Sequence, residues 1–387
     1  MEGRILKRST SIFVVFAILF VGLFVTIELI NQKLYTSDLL VYYGAVNDFF
    51  SGNNPYINSY GLETGYFKYP PTTLYLFSIF SIVPFWMAQV IHITFLFASL
   101  ALTFPILREV AFKIFNVPSK KMTWLLYAGT ISIVVHLGRE FHMGNVNLLL
   151  LLLFSVGLYY FKGAALWKTV VPWSLMLILK PIMILIIVPL IVFQQWRHIF
   201  SLGAMGVGFF LIPTMHIGFS ATLDLWMDWF HSISDHGNYI VSYNSLKYMS
   251  EFYLGWNSSW GLSMVVLSIL ICLLILFKFN RGANNLSEWI IVFLAFVPNF
   301  FVTDTEHFLI SAPLIIVLMM QLVQRTSYAL WLLFVVAILP FSFNSIDFLG
   351  RELSTKVDVY AGTGLGNLTL ICLYVGLLFS PIKREEI

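Results

Sequence analysis

The chain has 387 residues and a formal net charge of only +3, with 59% of residues hydrophobic and 11% charged. A soluble domain carries roughly 25% charged residues; a soluble multidomain protein is therefore excluded and an integral membrane protein is expected. Cys272 and Cys372 fall within apolar runs, where they act as small hydrophobes and form no metal-type spacing.

In chain order, Ser11–Ile30 follows the basic Arg4, Lys7 and Arg8 and is too long for a signal-peptide core, so it reads as a retained anchor. Further spans are expected at 86–108, 123–138, 145–162, 199–218, 258–279, 288–303, 307–323, 327–343 and 366–381, with a broken pair over 165–195 interrupted at Pro181. The stretch from Pro71 to Pro84 is short for a crossing and reads as re-entrant or interfacial. The result is one all-α polytopic membrane domain over 1–387, with about twelve crossings and both termini cytoplasmic. Lys113, Lys120, Lys121, Lys162, Lys168, Arg197, Lys278, Arg281, Arg325, Lys383 and Arg384 then share the cytoplasmic side, in line with the positive-inside rule. Helical extracytoplasmic loops fall near 31–71, 139–144, 219–257, 304–306 and 344–365.

Wound as a helix, residues 36–51 place Ser37, Gly44, Asn47, Asp48 and Ser51 on one polar arc. Asp38 falls on the other side, among Val41, Tyr42, Ala45 and Phe49. Two readings stand: Asp38 caps the helix and complements its dipole, or it is a carboxylate held in a cleft, with its pKa lifted toward that of a general base.

Other polar groups gather on the same face. Asp304, Glu306 and His307 sit at the entry to a span, and His136, Arg139, Glu140, His142 and Asn145 at another tight turn, where Arg139 runs against the positive-inside trend. Lys180, inside an apolar run, either snorkels to the interface or binds an anion. Asp224, Asp228, His231 and Asp235 mimic a metal spacing but read better as the solvated stripe of an interfacial helix whose Leu223, Trp226, Met227 and Phe230 face lipid. His92 and His216 read as satisfied core or interfacial histidines, and Arg351, Glu352, Lys356 and Asp358 are too loosely spaced to form a site.

A carboxylate, a histidine and two unusual cations on the non-cytoplasmic face suit a transfer in which an anionic group leaves and a hydroxyl attacks. Soluble nucleotide donors are cytoplasmic, so the activated substrate is expected to arrive linked to a lipid.

The stretches "SDLLVYYGAVNDFFSGNNPYI" with "FKYPPTTLYLFSIFSIVP", "GNVNLLLLLL", "LKPIMILIIVPLIVFQQWR" and "TDTEHFLISAP" resemble glycosyltransferase family 87, polytopic enzymes of the C-type glycosyltransferase (GT-C) fold that use polyprenyl-phosphate sugars. The order Asp-x-x-x-Tyr, Gly-x-x-Pro-Tyr, Tyr-Pro-Pro is the most specific part. By this resemblance Asp38 takes the place of the essential acid, Lys180 and Pro181 that of the Lys-Pro pair, and Glu306 and His307 that of a late histidine pair. Gly144-Asn145-Val146-Asn147 stands where Gly-Gln-x-Asn is usual, and an Asn-Gln-Ser-Leu segment is faintly visible at Asn244 and Ser245.

The resemblance implies inverting transfer of a hexosyl or pentosyl group, mannose first, from a polyprenyl-phosphate sugar to a glycolipid or glycan on the extracytoplasmic face. Asp38 would deprotonate the acceptor, and Lys180, Arg139 and His307 would hold the departing phosphate. Tyr42, Asp48, Tyr56, Tyr69, Asn145, Asn147, Asp304 and Glu306 would line the substrate site. Neither cofactor nor metal is expected, because phosphate already leaves well, and no nucleic-acid partner is expected. The competing classes are a transporter or lipid-carrier flippase, which also offers a broken helix, a non-catalytic assembly subunit, and an O-acyltransferase centred on a membrane histidine.

Overall fold

The computed structural model describes residues 2–61, 65–115, 123–239, 242–256, 258–279, 286–301, 304–325, 327–343 and 349–379. Lys120, Lys121, Arg281, Lys383 and Arg384 lie outside these residues, as do the side chains of Arg4, Lys7, Arg8, Asp235 and Arg351. All regular elements among the described residues are helical. Five of them are long and apolar enough to cross a membrane, and shorter apolar helices accompany them, so the chain is a polytopic membrane protein.

Burial sorts the bundle from its centre outwards. In the most apolar 18 residues of Thr305–Arg325, 89% are buried, against 11% in those of Trp196–Ile217. Helix α15 (Ala312–Arg325) is apolar around its circumference and packs in the middle with α14 (Leu286–Phe300), whereas α1 (Glu2–Ile30) and α10 (Trp196–Ile217) leave large apolar side chains on the outside, as lipid-facing helices do.

Between α1 and α4 (Phe85–Phe115) the chain forms two short helices. Helix α2 (Ser37–Phe50) buries Leu39, Val41, Tyr42, Ala45, Val46 and Phe49, and the chain that follows it folds back over its other face, where Tyr60 lies against Gly44. Helix α3 (Thr73–Ser81) has 9 residues, about 13 Å of rise against the roughly 30 Å of a hydrocarbon core; it cannot cross, and Thr72 Oγ1 ties its start to the Phe209 carbonyl of α10 at 2.8 Å.

The expected single span over 123–138 is divided. Helix α5 (Trp124–Ile131) ends where Ile133 leaves helical geometry, and α6 (Val134–Met143) begins anew. The break is stable because neighbouring groups take up the polar atoms it creates. Ser342 of α16 (Tyr328–Phe343) donates to the Ser132 carbonyl, and His136 Nε2 lies 3.0 Å from the Phe341 carbonyl.

Helices α7 (Asn147–Tyr160) and α8 (Trp167–Leu179) form a tight hairpin. At Gly157 a Cβ would lie 2.3 Å from Trp173 Nε1, and that indole donates to the Phe154 carbonyl at 3.1 Å. The helices have 14 and 13 residues, about 20 Å each, so α8 returns the chain to the level at which α7 began. Lys180 is therefore delivered beside Asn147. Its backbone is extended, and Pro181 opens the 3-10 turn Pro181–Ile186, followed by α9 (Ile187–Val192). The helix is broken at Pro181 because the ring supplies no N–H and restricts the preceding residue to extended geometry.

Helix α11 (Phe219–Tyr239) lies over the strap between α2 and α3. Asn54 Nδ2 donates to Asp228 Oδ2 at 2.7 Å, Trp229 Nε1 to the Lys68 carbonyl at 3.0 Å and Ser232 Oγ to the Phe67 carbonyl at 3.1 Å. Asp228 is thus a clamp on the strap, while Leu223, Met227 and Phe230 remain exposed.

Ser245 caps α12 (Leu246–Leu254) by accepting from the Tyr248 N–H at 3.2 Å. Helix α13 (Ser258–Phe279) follows, and α17 (Arg351–Asp358) and α18 (Gly362–Phe379) close the chain. Asn299 of α14 donates to the carbonyls of Asn244 and Gly364 at 3.0 and 3.1 Å, and Asn367 of α18 donates to Asn299 Oδ1 at 2.7 Å. This amide knot fastens the start of α12 to the bundle.

Candidate active site

The site forms where four chain segments meet: the start of α2, the α6–α7 turn, the Lys180 break and the 3-10 turn Thr305–Ser311. Gly144 makes the first junction. Its φ is +68°, and a Cβ there would lie 3.2 Å from Thr36 Cβ and 3.3 Å from Leu39 Cβ. Only glycine adopts this conformation without cost and lets α2 approach so closely. Thr36 is itself held in the left-handed region at φ 45°, its N–H on the His142 carbonyl at 2.9 Å and its Oγ1 accepting from Gln89 Nε2 at 2.8 Å. Gly144→Ala is expected to lower stability by about 1–2 kcal/mol and to loosen the contact between Asn145 and Asp38; a thermal midpoint unchanged from wild type would contradict this.

Beyond that junction the side chains form one continuous hydrogen-bonded chain. Asn145 Nδ2 donates to Asp38 Oδ2 at 2.6 Å, and Asn145 Oδ1 accepts from Lys180 Nζ at 3.0 Å and from the Val146 N–H at 2.7 Å. Lys180 Nζ also donates to Asn147 Oδ1 at 2.9 Å and to His307 Nε2 at 2.9 Å. An ammonium has three N–H donors and no acceptor; all three are used, and the His307 ring nitrogen facing it carries no proton. Lys180 is 9% exposed. It points into this cluster and does not snorkel outwards.

Asp38 faces across α2 toward Asn145 and makes its side-chain bond there; the α2 N-cap, Thr36, has no side-chain capping bond. Asp38 is half-buried, and the lost hydration pushes its carboxyl up from the usual range to about 6. Lys180, Lys68 and the Asn145 bond pull the other way, whereas Asp304 adds to the rise. Lys68 is the counterpart on the strap: burial lowers its pKa, and Asp304, Asp38 and Glu306 hold it up.

Arg139 reaches the cluster from α6. Its Nε lies 3.4 Å from Glu306 Oε2, with the Arg139 side chain 37% exposed and that of Glu306 3%. Tyr42 and Tyr69 share a hydroxyl–hydroxyl bond of 2.8 Å, and Tyr69 OH lies 3.5 Å from Asn145 Oδ1. Tyr56 donates to the Tyr69 carbonyl at 2.8 Å, and Tyr42 stacks on Phe77 with ring centroids 4.4 Å apart. These tyrosines form a buried wall behind the acid. His92 is buried and binds the Asn145 carbonyl through Nε2 at 3.2 Å.

The structure therefore gathers Asp38, Asn145, Asn147, Lys180, His307, Arg139, Glu306, Tyr42, Tyr56 and Tyr69 into one region. Asp304 opens the 3-10 turn beside it, its carbonyl accepting from the His307 N–H at 3.1 Å. Asp48 stands apart, about 15 Å further along α2, where it accepts from Asn58 Nδ2 and Tyr60 OH at 2.8 Å each; it folds the strap onto α2. One group that the sequence reasoning left out belongs to the cluster: Lys68 precedes Tyr69 on the strap and, like Arg139, is a cation in one of the loops expected on the extracytoplasmic face. Glu140, singled out in the sequence with the α6–α7 turn but given no role there, is considered below. A separate depression of about 340 Å³ opens at the other end of α8, lined by residues including Gly163, Gln194, Arg197 and His198, and it includes none of the cluster.

A half-buried acid and a buried cation joined by amides define a polar site inside a helical membrane protein. The glycosyltransferase family 87 model matches residues 67–303, more than half of the chain, and the chain belongs to that family and is a glycosyltransferase. No curated protein and no solved structure matches it. The match includes Lys68, Tyr69, Arg139, Asn145, Asn147 and Lys180. Asp38 and His307 lie outside it and are tied to it by direct bonds to Asn145 and Lys180.

Proposed function

We propose that the protein transfers a hexosyl or pentosyl group, mannose first, from a polyprenyl-phosphate sugar to a glycolipid or glycan acceptor at the extracytoplasmic face, with inversion. The observation that carries this reading is Asn145, whose amide donates to Asp38 through one atom and accepts from Lys180 through the other. Base and cation are thereby held as neighbours by a single amide, so that an acceptor hydroxyl at Asp38 and a donor phosphate at Lys180 would be bound side by side and oriented for reaction.

In this mechanism Asp38 takes the proton from the acceptor hydroxyl as the new C–O bond forms and the bond to the phosphate oxygen breaks. The phosphate enters beside Lys180, Arg139 and His307. By displacing the Lys180–His307 contact it frees the His307 Nε2 to bind a proton, and Lys180 keeps its two asparagine partners. The polyprenyl phosphate leaves as a phosphomonoester anion stabilised by these cations and by Lys68 nearby on the strap, in surroundings where fixed charges act strongly. Direct displacement inverts the anomeric centre, since no second carboxylate is called on as a nucleophile.

The membrane setting favours a lipid-borne donor. Lys180 stands only about 20 Å along α8 from Trp167, against roughly 30 Å for the hydrocarbon core. With Lys168 at the cytoplasmic face, the cation would lie within the bilayer thickness, at a depth that suits a phosphate carried on a polyprenyl chain.

Because the base must be ionised, kcat/KM is expected to fall about tenfold per pH unit below pH 6 and to level off above it, following an Asp38 carboxyl raised to about 6. A profile flat from pH 5 to 8 would remove Asp38 from that role. The proposal as a whole is tested by supplying purified protein in vesicles with polyprenyl-phosphate sugars and following sugar transfer and product anomer; retention of configuration would overturn the displacement.

A further inference from the structure

Glu140 is fully buried on α6, and both its carboxylate oxygens are engaged. Oε1 accepts from the Leu148 N–H at 2.8 Å, and Oε2 accepts from Asn147 Nδ2 at 2.9 Å. The first bond satisfies a free N–H in the opening turn of α7. The second determines how the neighbouring amide is turned. With its NH₂ committed to Glu140, Asn147 presents its oxygen to Lys180 Nζ at 2.9 Å. Turned over, the amide would aim N–H groups at an ammonium and take away one of its three acceptors.

We infer that Glu140 is a positioning residue of the transfer site: it fixes the Asn147 amide so that Lys180 is held, charged and in place, for the phosphate of the donor. The inference rests on the proposed use of a lipid-phosphate donor and adds a residue that touches neither substrate. The order of contacts is Glu140, Asn147, Lys180, Asn145, Asp38, so a carboxylate on α6 sets the cation, and through it the second amide that faces the base. On the other side of the cation, Arg139 and Glu306 form a separate pair and do not replace this link.

The test exchanges the two groups. In Glu140→Gln the new side chain can accept from the Leu148 N–H only by turning its NH₂ toward Asn147, which forces the Asn147 amide over. In the double variant Glu140→Gln with Asn147→Asp, the glutamine NH₂ meets a carboxylate whose second oxygen faces Lys180, so bonding and net charge are restored. The expected result is a donor KM raised about tenfold in the single variant, the size of coupling within one hydrogen-bond network, with the acceptor KM unchanged and the donor KM recovered in the double. The thermal midpoint of the double should also exceed that expected from adding the effects of the two single variants, a readout that needs no substrate. A folded single variant with wild-type donor KM, or a double that recovers neither donor KM nor thermal midpoint, would overturn the inference. If wild type accepts no lipid-phosphate donor, the reading under Proposed function fails instead, and an additive thermal cycle would then also remove Glu140 from its pairing role.

Discussion

Asp38→Asn is expected to lower kcat/KM by about 10²–10⁴, the range a positioned general base supplies, while leaving the protein folded. The asparagine oxygen can still accept the bond now made by Asn145 Nδ2 at 2.6 Å, so the junction between α2 and the α6–α7 turn survives. The substitution removes basicity and retains shape. A carboxylate that served only to complement the α2 dipole would cost stability of a few tenths to 1 kcal/mol and leave turnover intact. Turnover measured beside a thermal midpoint on the same preparation separates the two roles.

The second large effect is expected at Lys180. Lys180→Met keeps the length of the side chain but withdraws three donors at once, leaving Asn145 Oδ1 and Asn147 Oδ1 without their strongest partner among acids that lose their counter-charge. Removing one member of a buried charged network costs about 3–5 kcal/mol, so the variant should be destabilised as well as inactive. Lys180→Arg is not expected to rescue it, since a planar fork cannot send three bonds in the diverging directions of Asn145, Asn147 and His307. The measurement is donor binding and thermal midpoint across wild type, the methionine variant and the arginine variant. An arginine variant with wild-type donor affinity would show that only charge at this position matters.

Much of this arrangement is legible in the sequence because it follows from local rules. The run of apolar segments sets the bundle, Pro181 sets the break at Lys180, and the helical period of residues 36–51 turns Asp38 away from the wet face. The division of 123–138 is not legible, because it depends on bonds from α16 to Ser132 in the break and to His136 on α6, partners about 200 positions apart. Asp48 and Asp38 share one helix and one residue type, and only the fold shows that the first pins Asn58 and Tyr60 while the second faces Asn145. Glu140 was visible as an acid in a tight turn, yet its partner Asn147 stands 7 residues away on the next helix, a distance that spacing alone does not turn into a contact. Lys68 could have been found by the reasoning that singled out Arg139, as a cation on the loop face beside a conspicuous aromatic.

The central claim is that sugar reaches this site on a lipid phosphate. The direct measurement offers purified protein in vesicles a panel of polyprenyl-phosphate sugars and, in parallel, the matching nucleotide sugars, with labelled glycolipid acceptors. The account predicts transfer from at least one lipid-phosphate donor, none from the nucleotides, and an inverted anomeric linkage in the product. Transfer from a nucleotide sugar, or none from any lipid donor, would contradict it.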